Sequence, residues 1–371
     1  MEQCRLFKGG SCALLVQDAG KGMVRDNAMH GHEVGEVEVR SNGAPLLAGN
    51  RIHNSKGCGI LVDGAGGEYH RNDIYGNARA GICLRGGGSA LFTHNRVSAG
   101  AQSGVVVEAL SSGTLESNVI VFNGHCGIEL RDDGDATLRL NVVSRNGHFG
   151  LLFYNGAQGL VQGNDINASV SRSLLLFIRS LFPLLTLERT LGNDIKANGM
   201  SGISVMLNAS PRIIGNHIHS NLQCGLCFMH GGKGVVQGNH VHANAWAGIR
   251  IESQADPMLI RNSIYNGLHH GILVCEGGRG SVQGNTIFRN AATGIKIRSE
   301  GAPRVVGNKI CDGFRIGVHV AHTAQGEIRL NAIYNNQARW VWLWLWLWLW
   351  LWLWLWLCVR IHAYIHTHTC V

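Results

Sequence analysis

One residue type fixes what this chain can fold into: an asparagine that returns every 23 residues along most of its length. The column runs Asn27, Asn50, Asn72, Asn95, Asn118, Asn141 and Asn164, then Asn193, Asn216, Asn239, Asn262, Asn285, Asn308 and Asn331. Every step is 23 except one of 22 (Asn50 to Asn72) and one of 29 (Asn164 to Asn193). A sustained period of roughly 20–50 residues belongs to stacked units that each touch their neighbours, not to one closed globule.

The other columns give the unit its shape. Counted from each Asn, position +2 is Ile or Val from Ile52 to Ile333, and position +9 is nearly always Gly, as in Gly59, Gly127 and Gly294. Positions +10 and +12 are apolar with +11 free, as in Ile249-Arg250-Ile251, and a further apolar residue stands three before each Asn. Alternation of this kind marks strands with one buried face, so each unit holds three very short strands, at +1 to +3, at +10 to +12 and just before the next Asn. No segment of the regular body carries a helical repeat long enough to cross back over a sheet. The expected fold is all-β: a right-handed parallel β-helix solenoid of about fourteen coils of 23 residues, spanning 1–337. The hand follows from the near-universal right-handedness of parallel crossovers.

The Asn column is expected to form an inward corner, with left-handed backbone at the Asn and amides hydrogen-bonding from coil to coil. A second Asn at +5, as in Asn77, Asn123 and Asn146, marks another corner. Pro45, Pro211, Pro257 and Pro303 all fall five residues before the Asn. That column reads as a bend, because Pro cannot donate to a ladder.

Two segments break the rule. Gly-Asn-Asp-Ile occurs at 163–166 and again at 192–195, and removing 29 residues between the copies restores the 23-residue spacing. The Leu-, Ser- and Phe-rich stretch 167–195 reads as an insert, a retained intron in preference to a functional arm; a degenerate coil with a bulge is the alternative. In 338–371, Trp and Leu alternate and a His-Thr stretch follows, which reads as translated repetitive DNA and not as a domain. A membrane partner is expected only if that tail is a true span.

Composition narrows the partners. Net charge is +8, but charged residues are 15% of the chain and dispersed, so a mildly basic surface is expected and no specific nucleic-acid site. The cysteines are scattered, and Cys224 and Cys227 make a CxxC without a second pair, which is a poor zinc motif. Reduced thiols, no metal, no cofactor and a cytoplasmic or nuclear location are expected. The start Met1-Glu2-Gln3-Cys4-Arg5 shows no apolar signal-peptide core.

Outward columns supply the candidate sites. The +3 column carries His219, His242, Tyr265 and Phe288 in consecutive coils, a row of rings suited to stacking on sugars or anchoring a protein partner. Such rings also stack on one another in ordinary strands. His217, His219, His240 and His242 form a two-by-two imidazole patch, without a carboxylate or thiolate in the same columns to complete a metal site. Glu108 and Glu129 project from adjacent coils beside Arg131 and Asp132, residue types suited to acid–base work on a sugar. Yet the +13 column Asp63, Arg85, Glu108, Arg131 equally reads as alternating surface ion pairs.

The units Gly284-Asn285-Thr286-Ile287-Phe288-Arg289-Asn290-Ala291-Ala292-Thr293-Gly294-Ile295 and Asn308-Lys309-Ile310-Cys311-Asp312-Gly313-Phe314 resemble the parallel β-helix repeats of carbohydrate-binding proteins and sugar hydrolases. They are most similar to the β-helix part of F-box-only proteins, the substrate-recruiting subunits of ubiquitin ligases. The resemblance implies a non-catalytic recognition scaffold that binds a protein partner, or a glycan, along one face. The alternative is a polysaccharide-active enzyme, a lyase, hydrolase or epimerase of uronate polymers, centred near Glu108, Glu129 and Asp132.

Overall fold

A computed structural model describes residues 1–163, 165–166 and 194–337. Strands and turns account for all the regular structure there, with no helix among the described residues. Each coil lays one strand in each of three parallel sheets. The first sheet begins at Arg5–Phe7 and ends at Ala332–Tyr334; the second runs from Cys12–Val16 to Val318–Val320; the third runs from Lys21–Arg25 to Glu327–Arg329. The second and third sheets hold 13 strands each, so the solenoid has 13 full turns among the described residues, one fewer than the period suggested.

Register keeps every apolar column in line. Ile52, Ile74, Val97, Ile120 and Val143 follow one another down the first sheet, and Ile60, Ile82, Val105, Ile128, Leu151 and Ile203 down the second. The third stacks Leu47, Tyr69, Phe92, Leu115, Leu138 and Val161. These side chains are buried almost without remainder, and each such branched side chain contributes about 1.5–3 kcal/mol over its exposed state. The Ile249, Ile251, Ile295 and Ile297 pairs all point inward.

Among the described residues the asparagine column is an amide ladder from Asn27 to Asn141 and again from Asn216 to Asn331. Asn95 donates from its main-chain N–H (2.9 Å) and its Nδ2 (3.1 Å) to Oδ1 of Asn118, which repeats the pattern onto Asn141 at 2.9 and 3.0 Å. The left-handed corner, however, is not the Asn. It is the residue before it: Asp26, Gly49, Arg71, His94, Ser117 and Leu140 all have φ between 52° and 67°. Turning the chain one residue early leaves the Asn free to aim both its N–H and its amide along the solenoid axis. The proline column is likewise no bend. Pro45 and Pro257 lie inside the strands Ala44–Ala48 and Asp256–Ile260, whereas Pro211 and Pro303 stand directly before Arg212–Ile214 and Arg304–Val306.

The +9 glycines are required by crowding. A Cβ on Gly127 would stand 2.2 Å from Cγ1 of Val143, 2.7 Å from the Gly150 carbonyl and 2.8 Å from Nδ2 of Asn146. In the coil of Asn27 the rule is broken twice at once. His32 takes the +5 Asn slot and Glu36 the +9 Gly slot, and the two pair in full burial at 2.6 Å. The following coil carries the smaller Ser55 where an Asn amide would otherwise stand.

At the irregular step the second asparagine column, at +5, passes from Asn146 to Asn198, 52 residues on, at 3.2 Å. Asp165–Ile166 and Asp194–Lys196, from the two Gly-Asn-Asp-Ile copies, both pair with His217–His219, and Asp165 and Asp194 both face His217. Apart from 194–195, the segment read as an insert lies outside the described residues, as does 338–371.

Candidate functional site

Among the described residues, the second sheet carries a cluster of linked polar side chains on its outward face. In Val105–Val107, Ile128–Leu130 and Leu151–Phe153 the outer two residues of each strand point into the core, leaving Val106, Glu129 and Leu152 facing out. The residue after each strand is Glu108, Arg131 and Tyr154, fixed by main-chain bonds to the preceding coil at 3.0, 3.0 and 3.1 Å. Coil stacking therefore sets an acid, a base and a phenol in one column, with Glu129 beside them.

Arg131 is the hub. Its Nε donates to Oε2 of Glu108 at 2.6 Å, and Nη2 meets the same oxygen. Its Nη1 donates to Oε1 of Glu129 and to Oη of Tyr154, each at 3.2 Å. Tyr154 in turn donates to Oε1 of Glu129 at 2.9 Å, and Ser103 Oγ donates to Oε2 of Glu129 at 2.7 Å. Side-chain exposure is 35% for Arg131, 18% for Glu108 and 14% for Glu129, so the cluster is partly desolvated yet open to a ligand. Burial works against the charge on Arg131, but the bonds to Tyr154 and Glu108 outweigh it and raise its pKa. Burial, reinforced by Glu129, pushes the Tyr154 phenol up against the opposing pull of Arg131. Burial also lifts the neighbouring Cys126 to about 11, which keeps it a thiol and removes it as a nucleophile. Asp132 sits at the rim, 52% exposed, 3.7 Å from Arg131 and bonded by Asn155.

The +13 column is thus more than alternating surface pairs. Arg85 does bond Asp63 in that way, at 2.9 Å. Two turns further, Arg131 gathers two carboxylates and a phenol. Sequence reading placed Glu108, Glu129, Arg131 and Asp132 together. It missed Tyr154, the next member of the same column, and Ser103, one of the +8 residues that flank it.

The row His219, His242, Tyr265, Phe288 lies on the first sheet, in consecutive register. Its rings are half-buried and stack at 4.3, 4.9 and 4.9 Å. A second row on the same sheet, Phe7, His30, His53 and Tyr75, stacks at 5.6, 4.9 and 4.5 Å; His53 and Tyr75 stand in the same +3 column of the sequence, but they were not singled out there as a row. In the imidazole patch, His217 stacks on His240 at 4.8 Å. Burial, with His217 and His240 adding to it, lowers His242 to about 4.

Cys224 and Cys227 are free buried thiols in an apolar cluster, with burial raising both pKa values. Among the described residues one trio of potential metal ligands, Glu252, Cys275 and Glu276, brings its donor atoms within 4.8 Å of one another. Arg250 already binds Glu252 there, and its cation opposes a metal.

Among solved structures, the chain is similar to the periplasmic alginate epimerase AlgG at 11% identity, covering 86% of this chain and 78% of that one with a TM-score of 0.55. It is also similar to the A-module of the Azotobacter vinelandii mannuronan C-5 epimerase AlgE6, at 14% identity over 86% and 92% of the two chains and a TM-score of 0.44. A third similar structure is the catalytic unit of a GH87 alpha-1,3-glucanase from Streptomyces thermodiastaticus, at 11% identity over 79% and 64% and a TM-score of 0.38. Identities this low establish the fold. The expectation of a non-catalytic recognition scaffold is corrected on that fold: the similar structure at a TM-score of 0.55 is an alginate epimerase, an enzyme. No curated protein sequence matches the chain. The model of the right-handed beta helix region matches residues 1–108, 35–180, 186–310 and 258–343, and the chain belongs to that family.

Proposed function

We propose that the chain is a polysaccharide-active enzyme acting on a uronate polymer, with Glu129, Arg131 and Tyr154 as its chemical centre. The observation that carries this reading is the Tyr154 phenol, bonded at once to a carboxylate at 2.9 Å and a guanidinium at 3.2 Å. In a uronate the carbon next to the carboxylate holds a weakly acidic proton. Its removal needs a cation to neutralise the carboxylate, a base to take the proton and a second group to return one. Arg131 is the cation, Glu129 the base and Tyr154, kept protonated by burial and by Glu129, the donor. Proton abstraction, as in a lyase or an epimerase, fits better than hydrolysis. Hydrolysis needs a protonated carboxylic acid at the leaving oxygen, and here one guanidinium holds both Glu108 and Glu129 as acceptors. The similarity in fold to an alginate epimerase supports the same substrate class.

The test is incubation with polymannuronate or polygalacturonate in deuterated water, followed by proton NMR. Deuterium should enter at the carbon next to the carboxylate, or an unsaturated product should form. Tyr154→Phe should lower the rate by about 10²-fold or more while the circular dichroism spectrum is kept. Absence of both products on every uronate polymer, or an undiminished rate in Tyr154→Phe, overturns the reading.

A further inference from the structure

The same face carries a second group of residues that the chemical centre does not use. Arg250 occupies the outward position of Ile249–Ile251, the position that Glu129 holds in Ile128–Leu130. Four ladder steps separate these strands, a distance of about 19 Å at the ordinary spacing of paired strands. The Arg250 guanidinium lies 5.2 Å from the ring centroid of Trp246, an indole that is 47% exposed. Its Nη2 binds Glu252, and its Nε is buried out of a ligand's reach, so a ligand acceptor would have to meet the guanidinium through its terminal nitrogens.

Trp246 differs from the ring rows of the first sheet. There the rings stand 4.3–4.9 Å apart in the row of His219 and cover one another's faces. Trp246 stacks on its neighbour His269 more loosely, 6.3 Å apart and inclined by 22°, and the indole keeps 47% of its surface exposed. Two steps beyond Arg250, Lys296 faces out from Ile295–Ile297, followed by Arg298. The positive field is felt by His269, lowered by burial and then by Lys296 and Arg315. The acids nearby are Glu252, already bound by Arg250, and the exposed Glu276. A flat apolar ring with a guanidinium and a row of cations suits a sugar ring that bears a carboxylate.

We propose that Trp246, Arg250 and Lys296 form a binding subsite for an acidic saccharide unit, placed along the second sheet from the Arg131 centre. The assignment rests on the reading above for its ligand class, and deepens it by naming where a long anionic chain is held. Trp246 supplies the stacking surface, Arg250 the hydrogen-bond donor at its foot, and Lys296 the screened, longer-range attraction.

Equilibrium dialysis of the full chain bearing Tyr154→Phe tests it, with long polymannuronate and polygalacturonate oligomers as probes and dextran oligomers as the neutral control. Added Trp246→Ala should weaken binding of the uronates by about tenfold or more, and Trp246→Phe should restore most of it. Lys296→Gln should weaken binding several-fold at low salt and flatten its salt dependence. Dextran should not bind. Unchanged affinity in both Trp246→Ala and Lys296→Gln, equal binding of dextran, or tighter binding of polyglutamate than of either uronate would overturn the subsite. Uronate binding that depends on Trp246 without any deuterium exchange would sink the enzyme reading and leave the subsite standing. Exchange together with binding indifferent to Trp246 would do the reverse.

Discussion

Removing a single rung of the asparagine ladder tests how the solenoid is held together, and Asn118→Ala is the cleanest case. Asn118 is 2% exposed and both accepts and donates along the axis. Its Oδ1 receives the Asn95 main-chain N–H and Nδ2, and its own Nδ2 reaches the Phe92 carbonyl at 2.9 Å and Asn141 at 3.0 Å. Truncation spares the Asn118 main-chain bond to Asn141, and Asn95 Nδ2 keeps its bond to the Tyr69 carbonyl. The Asn95 N–H is then buried without a partner, one amide proton of Asn95 loses its acceptor, and the Phe92 carbonyl loses a donor. Each such buried group costs about 1–3 kcal/mol, so the three together cost about 3–9 kcal/mol before the coil relaxes. Repeat stacks unfold by neighbour-to-neighbour terms, so a global midpoint is a blunt readout. Hydrogen exchange at the Asn95 N–H is the sharp one, and its protection should fall by roughly two orders of magnitude or more. Protection within tenfold of the parent would refute the reasoning: it would mean that water repairs the rung and that the ladder follows from packing without contributing to it.

Three further outcomes are expected. Leu140→Gly should raise the urea midpoint by the equivalent of about 0.5–1 kcal/mol, because Leu140 holds φ 52° with its side chain 49% exposed; a lower midpoint would show that the leucine packs usefully. Gly127→Ala should cost about 1–3 kcal/mol or prevent folding, since its Cβ would meet Val143 at 2.2 Å, and parent-like unfolding would refute the crowding argument. His242 is lowered to about 4 in the fold against 6.5 unfolded, so its neutral burial favours folding fully above pH 6.5 and progressively less down to about 4. His242→Phe should keep the stacking while reducing the loss of stability over that window, and an unchanged acid profile would assign the loss to other groups.

Much of the fold was legible because it rests on repetition. Strands of period 2 inside a period of 23 leave one arrangement of three sheets, and the core residues fall where the apolar columns put them. The left-handed corner was legible in part: Gly49, Gly163, Gly215, Gly238, Gly284 and Gly307 each precede a column Asn and hold the positive φ, but Asp26, Arg71, His94, Ser117 and Leu140 take the same conformation without sharing a side-chain chemistry, so the column is not uniform. The His32–Glu36 pair was hidden for a related reason: it is a simultaneous replacement of two column residues, and either one alone reads as noise. The row from Phe7 to Tyr75 was missed at its start because Cys4 and Asn27 open it before the columns are fully established. At the candidate site the two acids and Arg131 could be placed by counting, whereas the role of Tyr154 depends on a 2.9 Å contact that spacing does not show.

The contrast between the two outward faces follows from one number. Paired strands lie about 4.8 Å apart, which is also a comfortable distance for stacked rings and for amide ladders. A column of like residues in a parallel solenoid therefore satisfies itself along the axis, as His219, His242, Tyr265 and Phe288 do at 4.3–4.9 Å. Reactive groups must instead come from columns whose successive members are unlike, because only there do hydrogen-bonding and charge demands remain to be met by something other than the same residue one coil away. Glu108, Arg131 and Tyr154 are three different side chains in three consecutive coils, with Glu129 beside them. Trp246 and Arg250 stand in columns whose next members are His269 and Leu273, so neither is matched by its own kind. The regular columns specify the scaffold, and the places where a column changes chemistry leave hydrogen-bonding and charge demands open to a ligand.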